Sequence, residues 1–168
     1  MSNIGFIGVG YMGYGIAKNI LDKGNNLFVV ANKNRKPIEK IVSKGAKEVI
    51  NLEEFKEKKL NVLVKCVTNT PIAKEIALKL ANILDKKTLI IDITTHNKTG
   101  SIETEKIYQS KNINYIECPV MGGPVQAEDG IRDRCLSRGL GDVYKRQTKH
   151  IVGSTKTSNN IYCIDNNS

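Results

Sequence analysis

Three glycines at fixed spacing, Gly8, Gly10 and Gly13, restrict the start of this chain more than any other feature. They follow the short apolar run Asn3–Ile7, which is a strand candidate, and they open the segment Tyr11–Lys23, whose apolar residues recur at helical spacing. In a turn between strand and helix, the first glycine permits the tight turn and the second lets the backbone approach a pyrophosphate. The third lets helix and strand pack closely. We therefore predict a dinucleotide-binding turn at this point.

The remainder of the first 125 residues alternates between apolar runs and helical patterns. Strands are predicted at Leu27–Ala31, Glu48–Ile50, Leu60–Val67, Thr88–Ile93 and Asn114–Cys118, and helices at Ile38–Ser43, Ile72–Leu84 and Thr99–Ser110. Strands that are apolar on both faces and alternate with helices indicate a parallel sheet covered on each side. The predicted fold class is α/β, a doubly wound parallel sheet of the Rossmann type.

The charge of the chain, +9, does not by itself indicate a nucleic acid partner. Lysines are dispersed and interleaved with glutamates, as in Glu53–Lys59, which is typical of a solvated helix surface. No apolar run is long enough to span a membrane, and the first residues lack a signal-peptide pattern. Four cysteines without CxxC spacing favour reduced thiols over a disulfide framework or a zinc site. We expect a soluble, cytoplasmic protein with no metal and with neither nucleic acid nor membrane as a partner.

The end of the second predicted strand bears on the choice of coenzyme. An NAD enzyme usually places a carboxylate there, about twenty residues after the glycine turn, to accept a hydrogen bond from the ribose. This chain has Ala31-Asn-Lys-Asn-Arg35 instead, and Lys33 and Arg35 are suited to a 2′-phosphate. The sequence therefore favours NADP over NAD, although the same two bases also suit an ordinary solvated loop.

Polar and reactive side chains follow the next two predicted strands. Cys66 is interpreted as a packed thiol rather than a nucleophile, because no histidine lies near it in sequence. The threonines of Asp92-Ile-Thr-Thr95 are placed either to face the nicotinamide or to cap the following helix. His96 is interpreted as a surface-loop histidine rather than an acid or base.

The composition changes sharply near residue 126. The first 125 residues contain eighteen lysines and one arginine, whereas residues 126–147 contain four arginines and one lysine. Permitted codons for most of this segment reproduce two ordered parts of a sequencing-library adapter. We therefore interpret residues 1–125 as the nucleotide-binding domain and residues 126–168 as a non-native or disordered tail, with translated adapter at 126–147.

Three motifs in order, Gly5-Phe-Ile-Gly-Val-Gly-Tyr-Met-Gly13, Asp92-Ile-Thr-Thr95 and Glu117-Cys-Pro-Val-Met-Gly-Gly123, resemble the β-hydroxyacid dehydrogenases. That family includes 3-hydroxyisobutyrate dehydrogenase and tartronate semialdehyde reductase and shares its cofactor domain with 6-phosphogluconate dehydrogenase. The resemblance implies hydride transfer between NAD(P) and a small 3-hydroxy acid. It assigns residues to the pyrophosphate (Gly8, Gly10, Tyr11, Met12, Gly13), the adenosine ribose (Asn32, Lys33, Arg35), the middle of the cofactor (Val67, Thr68), the nicotinamide end (Thr95) and the substrate (Met121, Gly122, Gly123).

The chain departs from the family pattern in two places. Met121 stands where members usually have a serine that orients the substrate. The family's general-acid lysine, with the helical domain that closes the site and forms the dimer, has no counterpart in residues 126–168. The resemblance therefore implies no catalytic residue in this chain, and a homodimer only for a full-length protein. We expect weak NADP binding and no turnover.

Two other functions fit the same residues. One is a regulatory module that binds NADP without chemistry. The other is a relative of imine reductases or of 6-phosphogluconate dehydrogenase, which share the fold and coenzyme but act on different substrates.

Overall fold

The computed structural model describes residues 1–31 and 34–120. The strands are β1 (Asn3–Ile7), β2 (Asn26–Val30), β3 (Lys47–Val49), β4 (Val62–Lys65), β5 (Leu89–Asp92) and β6 (Asn114–Glu117). The α-helices are α1 (Gly13–Asp22), α2 (Lys36–Val42), α3 (Thr70–Ile83) and α4 (Lys98–Gln109), and a 3₁₀ helix spans Glu53–Lys56. Every strand and helix predicted up to residue 118 is present, with ends shifted by at most two residues. The predicted boundary near residue 125 and the adapter-like segment lie outside the described residues.

All six strands are parallel and form one sheet in the order β3-β2-β1-β4-β5-β6. This order confirms the predicted doubly wound fold. The chain builds outward from β1 to β3, then returns to place β4 on the other side of β1. Ligands of such sheets bind at the carboxyl ends of the strands where this reversal occurs, which here is between β1 and β4.

The two faces of the sheet bury separate apolar clusters, as strands apolar on both sides require. Along β1, Phe6 packs into one cluster and Ile7 into the other, and along β4 Val64 and Leu63 divide in the same way. Helices α1 and α2 cover the Phe6 face, whereas α3, α4 and the 3₁₀ helix cover the Ile7 face. None of the helices in the described part of the chain is long and apolar enough to cross a membrane.

One charged pair is fully buried in this sheet. Lys65 and Asp92 are register partners at the carboxyl ends of β4 and β5, and the Lys65 Nζ lies 2.7 Å from an Asp92 carboxylate oxygen. The same Nζ donates to the Ala73 carbonyl and lies 5.7 Å from the ring centroid of Tyr108. Burial lowers the pKa of Lys65 despite the neighbouring carboxylate. Burial alone would raise the pKa of Asp92, but a hydrogen bond from His96 and the charge of Lys65 hold it below its ordinary value.

We expect Asp92→Asn to lower the free energy of unfolding by about 3–5 kcal/mol, because it leaves the Lys65 ammonium buried without its anion. The pKa of Asp92 is depressed in the folded state, so its contribution is present above the ordinary value of 3.8 and disappears as the pH falls through the folded value. Urea denaturation at several pH values measures this difference. The control is Asp22→Asn, which removes an exposed pair with Lys18 on α1 and should change stability by less than about 1 kcal/mol. Equal effects of the two substitutions would contradict the prediction.

Candidate functional site

The glycine turn lies where β1 and β4 meet at their carboxyl ends. Gly8 has a φ of +93°, and a Cβ at this position would lie 1.8 Å from the Cys66 carbonyl oxygen. The strands are held at this distance by the Cys66 N–H, which donates to the Ile7 carbonyl at 2.8 Å. No side chain fits here, so the first glycine is required by the turn, as its place in the motif predicted.

The other two glycines of the motif, Gly13 and Gly10, differ in the space that a side chain would have. A Cβ on Gly13 would lie 2.2 Å from the Gly8 carbonyl oxygen, so this glycine allows α1 to pack against the end of β1. A Cβ on Gly10 would meet no protein atom within 4 Å. Packing within the described residues therefore explains Gly8 and Gly13 but gives no reason for Gly10, whose missing side chain leaves open space above the turn.

Helix α1 begins at this open space without a capping side chain. Its N-cap residue, Met12, makes no side-chain hydrogen bond, and its first turn contains no acidic residue. In contrast, Asn69 caps α3 and Asn97 caps α4 through their side-chain oxygens. The first N–H groups of α1 thus lack a side-chain acceptor, and the positive end of the helix dipole faces the glycine turn. An anion at this position would accept hydrogen bonds from these N–H groups and would be stabilised by the helix dipole.

Of the residues predicted to hold the adenosine ribose, the structure describes only Arg35; Asn32 and Lys33 lie outside the described residues. The Arg35 guanidinium donates to both carboxylate oxygens of Glu48 on β3, at 3.0 and 3.1 Å. A second carboxylate, on Glu39 of α2, lies 3.7 Å from the Arg35 Nε. Sequence reasoning found no carboxylate near this position, because Glu48 reaches it only through the pairing of β2 with β3.

Two loops at the ends of β4 and β5 are joined by a hydrogen bond. The Val67 N–H donates to the Thr94 hydroxyl at 3.1 Å, and Thr94 is buried. Thr68 and Thr95, which follow on these loops, are exposed at the same edge of the sheet. Because Asn97 caps α4, helix capping does not account for the Thr95 hydroxyl. The structure thus places Val67, Thr68 and Thr95 at the same edge of the sheet as the glycine turn.

The interpretation of His96 as a surface residue is wrong. Its side chain is fully buried, and its Nε2 lies 2.8 Å from the Asp92 carboxylate, to which it donates. The hydrogen bond to the Asp92 carboxylate, four residues earlier, accounts for the buried position of the ring, which sequence position alone does not reveal.

The Cys66 side chain is a packed thiol, as predicted, and burial and the charge of Asp92 raise the pKa of this thiol to about 11. The thiol is protonated at neutral pH and is a poor nucleophile.

The predicted substrate residues, Met121, Gly122 and Gly123, lie outside the described residues. The segment that leads to them runs beside the loop after β5, because the Cys118 N–H donates to the Asp92 carbonyl at 2.8 Å. No group of three or more potential metal ligands of the His, Cys, Asp or Glu types occurs within residues 1–31 and 34–120.

The chain is similar to known proteins both in sequence and in structure. Among curated relatives, a cytokine-like nuclear factor N-PAC from Anopheles gambiae is 29% identical over 131 residues, which are 75% of this chain and 22% of that protein. The mitochondrial 3-hydroxyisobutyrate dehydrogenase of Drosophila melanogaster is 27% identical, over 75% of this chain and 39% of that protein. The 2-(hydroxymethyl)glutarate dehydrogenase of Eubacterium barkeri is 25% identical, over 76% and 42%. The chain thus spans less than half the length of these relatives.

Solved structures with the same fold include enzymes with different substrates. A Mycobacterium tuberculosis 3-hydroxyisobutyrate dehydrogenase with L-serine superposes with a TM-score of 0.70 at 19% identity, covering 77% of this chain and 44% of that one. An imine reductase variant from Myxococcus stipitatus in complex with NAD+ gives 0.68 at 18% identity, covering 75% and 43%. A reductive aminase from Aspergillus terreus with NADPH and ethyl levulinate gives 0.64 at 16% identity, covering 75% and 43%. At these identities the likeness shows the fold alone.

The family assignment rests on a match to a family as a whole and not to single proteins. Residues 3–134 match the family described as the NAD binding domain of 6-phosphogluconate dehydrogenase, and this range reaches into the adapter-like segment. The match contains the glycine turn and the ends of β4, β5 and β6, which carry the motifs identified in the sequence. The chain therefore belongs to the family of the NAD binding domain of 6-phosphogluconate dehydrogenase, which confirms its resemblance to the cofactor domain of the β-hydroxyacid dehydrogenases.

Proposed function

We propose that this chain binds NADP at the carboxyl ends of β1 and β4 and is the cofactor-binding part of an oxidoreductase acting on a small 3-hydroxy acid. The observation that carries the proposal is the open space above Gly10, next to the uncapped start of α1. A pyrophosphate fits both features, because it needs close backbone approach and the N–H donors of a helix start that has no side-chain cap. Family membership and the named relatives support an oxidoreductase.

The residues have distinct roles in this proposal. Those around the turn hold the pyrophosphate, those after β2 the adenosine ribose and its 2′-phosphate, and those after β4 and β5 the middle and the nicotinamide end of the coenzyme. The pyrophosphate group comprises Gly8, Gly10, Tyr11, Met12 and Gly13. The adenosine group comprises Asn32, Lys33 and Arg35, and the group for the middle and nicotinamide end comprises Val67, Thr68 and Thr95.

The bound nicotinamide would supply or accept the hydride, and this chain would orient the ring and the substrate. The backbone amides of Gly122 and Gly123 would bind the substrate carboxylate, and Met121 would lie beside it without the hydroxyl that family members usually have. We assign no residue of this chain to the role of the family's acid lysine, and therefore no group to proton transfer to the substrate oxygen.

A second candidate is a module that binds NADP without catalysis. It is favoured by the relative named a nuclear factor, in which the matched region forms about a fifth of the protein. Catalysis of imine reduction or of 6-phosphogluconate oxidation is a third, supported by fold and family. All three candidate functions share the coenzyme site.

Replacing Gly10 with valine should weaken NADPH binding at least tenfold, roughly the loss of one charge-assisted hydrogen bond. The Cβ of the added side chain would lie in the open space, with no protein atom of the described residues within 4 Å. We therefore expect no change in melting temperature. Fluorescence titration and thermal denaturation measure the two quantities. Unchanged affinity for NADPH would refute the proposed pyrophosphate site.

Arg35→Ala should weaken binding of NADPH by about 10–100-fold and that of NADH by less than about twofold, because only NADPH has the 2′-phosphate. Glu48→Gln is the matched variant. It removes the carboxylate charge that now holds the Arg35 guanidinium, and it should therefore strengthen NADPH binding. Titration of each variant with both coenzymes measures the preference. Tighter binding of NADH than of NADPH by the wild-type chain would reverse the assignment to NADP.

We also propose that the 168-residue chain, assayed as printed, binds coenzyme but does not turn over substrate. General acid catalysis typically contributes about 10²–10⁴ in rate, and no residue here is assigned to it. The assay follows NADPH absorbance in both directions: formation from NADP+ with saturating 3-hydroxyisobutyrate, and consumption with saturating tartronate semialdehyde. Turnover above background by the purified chain would contradict this prediction and show that another group transfers the proton, accepting it in oxidation and donating it in reduction.

A further inference from the structure

The Asp92 carboxylate accepts four hydrogen bonds at the carboxyl edge of the sheet. One oxygen accepts from the Lys65 Nζ at 2.7 Å, from the His96 Nε2 at 2.8 Å and from the Tyr115 hydroxyl at 3.2 Å. The other oxygen accepts from the Thr94 N–H at 3.0 Å. These donors come from β4, from the loop after β5 and from β6. A single buried anion therefore joins three neighbouring parts of the chain.

The same donors lie beside the residues proposed to hold the nicotinamide half of the coenzyme. Thr94 and His96 flank Thr95, so the loop is fixed on both sides of the exposed hydroxyl. Lys65 ends β4 two residues before Val67, whose N–H donates to the Thr94 hydroxyl. The loops after β4 and β5 are thus tied both to Asp92 and to each other.

Stability alone is a weak reason for this arrangement. A buried ion pair is often no more stabilising than apolar side chains of similar volume, because both charges must be removed from water. Here a buried lysine ends an otherwise apolar strand and contacts Asp92, and a histidine ring is buried although its Nδ1 has no hydrogen-bond partner among the described residues. The His96 ring therefore makes its only polar contact with Asp92 in this part of the chain. Its placement favours a role in loop geometry.

We propose that Asp92, with Lys65 and His96, is a positioning device that holds the loops of Val67 and Thr95 in the geometry that receives the nicotinamide half of the coenzyme. The inference rests on the proposed function. Loops held in place before binding lose less conformational entropy when the ligand arrives, so affinity for that half of the ligand is higher. The adenosine half, bound beyond β1 near β2, does not depend on Asp92.

The test compares whole and half coenzymes on the full chain. NADPH is titrated beside adenosine 2′,5′-bisphosphate, and NADH beside ADP; each second probe lacks the nicotinamide half. His96→Leu should weaken the dinucleotides about tenfold, the effect expected of a supporting residue, and leave the half coenzymes within about twofold. His96→Gln, which retains an N–H donor, should recover most of the loss. It also provides the measurement if the leucine variant does not fold.

Thr88→Val is the matched control, because Thr88 is a buried polar residue at the opposite end of β5. Its hydroxyl donates to the Leu60 carbonyl at 2.9 Å, far from the carboxyl edge. This variant should lower the melting temperature without changing the affinity ratio between whole and half coenzymes.

The outcomes separate this inference from the proposed function. A wild-type chain that binds none of the four probes would refute the proposed function and, with it, the inference. A wild-type chain that binds them, combined with a His96→Leu variant whose ratio is unchanged, would refute only the positioning role. Parallel weakening of whole and half coenzymes would also overturn it, since that result indicates a general structural defect.

Discussion

The close approach of β1 to β4 governs this structure, and it depends on a missing side chain. At Gly8 the backbone turns with a positive φ, and the Cys66 carbonyl occupies the space where a Cβ would stand. Gly13 permits a similar approach between α1 and the same turn. Because these contacts leave no room for side chains, the start of α1 and the ends of two strands converge on one small region. The space above Gly10 is the part of that region left open to a ligand.

Charged and dipolar groups form three separate arrangements along this edge of the sheet. The start of α1 has no acidic residue and no capping side chain, so it offers positive potential to a phosphate. Farther along the edge, the negative charge of the buried Asp92 is neutralised by Lys65, and its carboxylate accepts a hydrogen bond from His96. On the other side, the Arg35 guanidinium is paired with Glu48. In the proposed function, these three arrangements would bind phosphate, position the loops and select the coenzyme.

Most of the fold could be predicted from residue patterns, because strands buried on both faces and helices with one apolar face have distinct periodicities. The chemical roles of single side chains were harder to predict. His96 was placed on the surface because nothing in its neighbourhood along the chain indicates burial, and Lys65 appeared only as an interruption of an apolar run. Both are explained by Asp92, which lies 27 residues from Lys65 in sequence but directly opposite it across the strand pair.

The sequence by itself determined the glycine turn, the alternation of strands and helices, the parallel sheet and the family, since each depends on local spacing and on the order of motifs. The tertiary structure alone decided which charges meet. The pairing of β4 with β5 brought Lys65 to Asp92, and the pairing of β2 with β3 brought Glu48 to Arg35. Parallel strands joined by helices place residues far apart along the chain side by side, and a local pattern carries no record of that register.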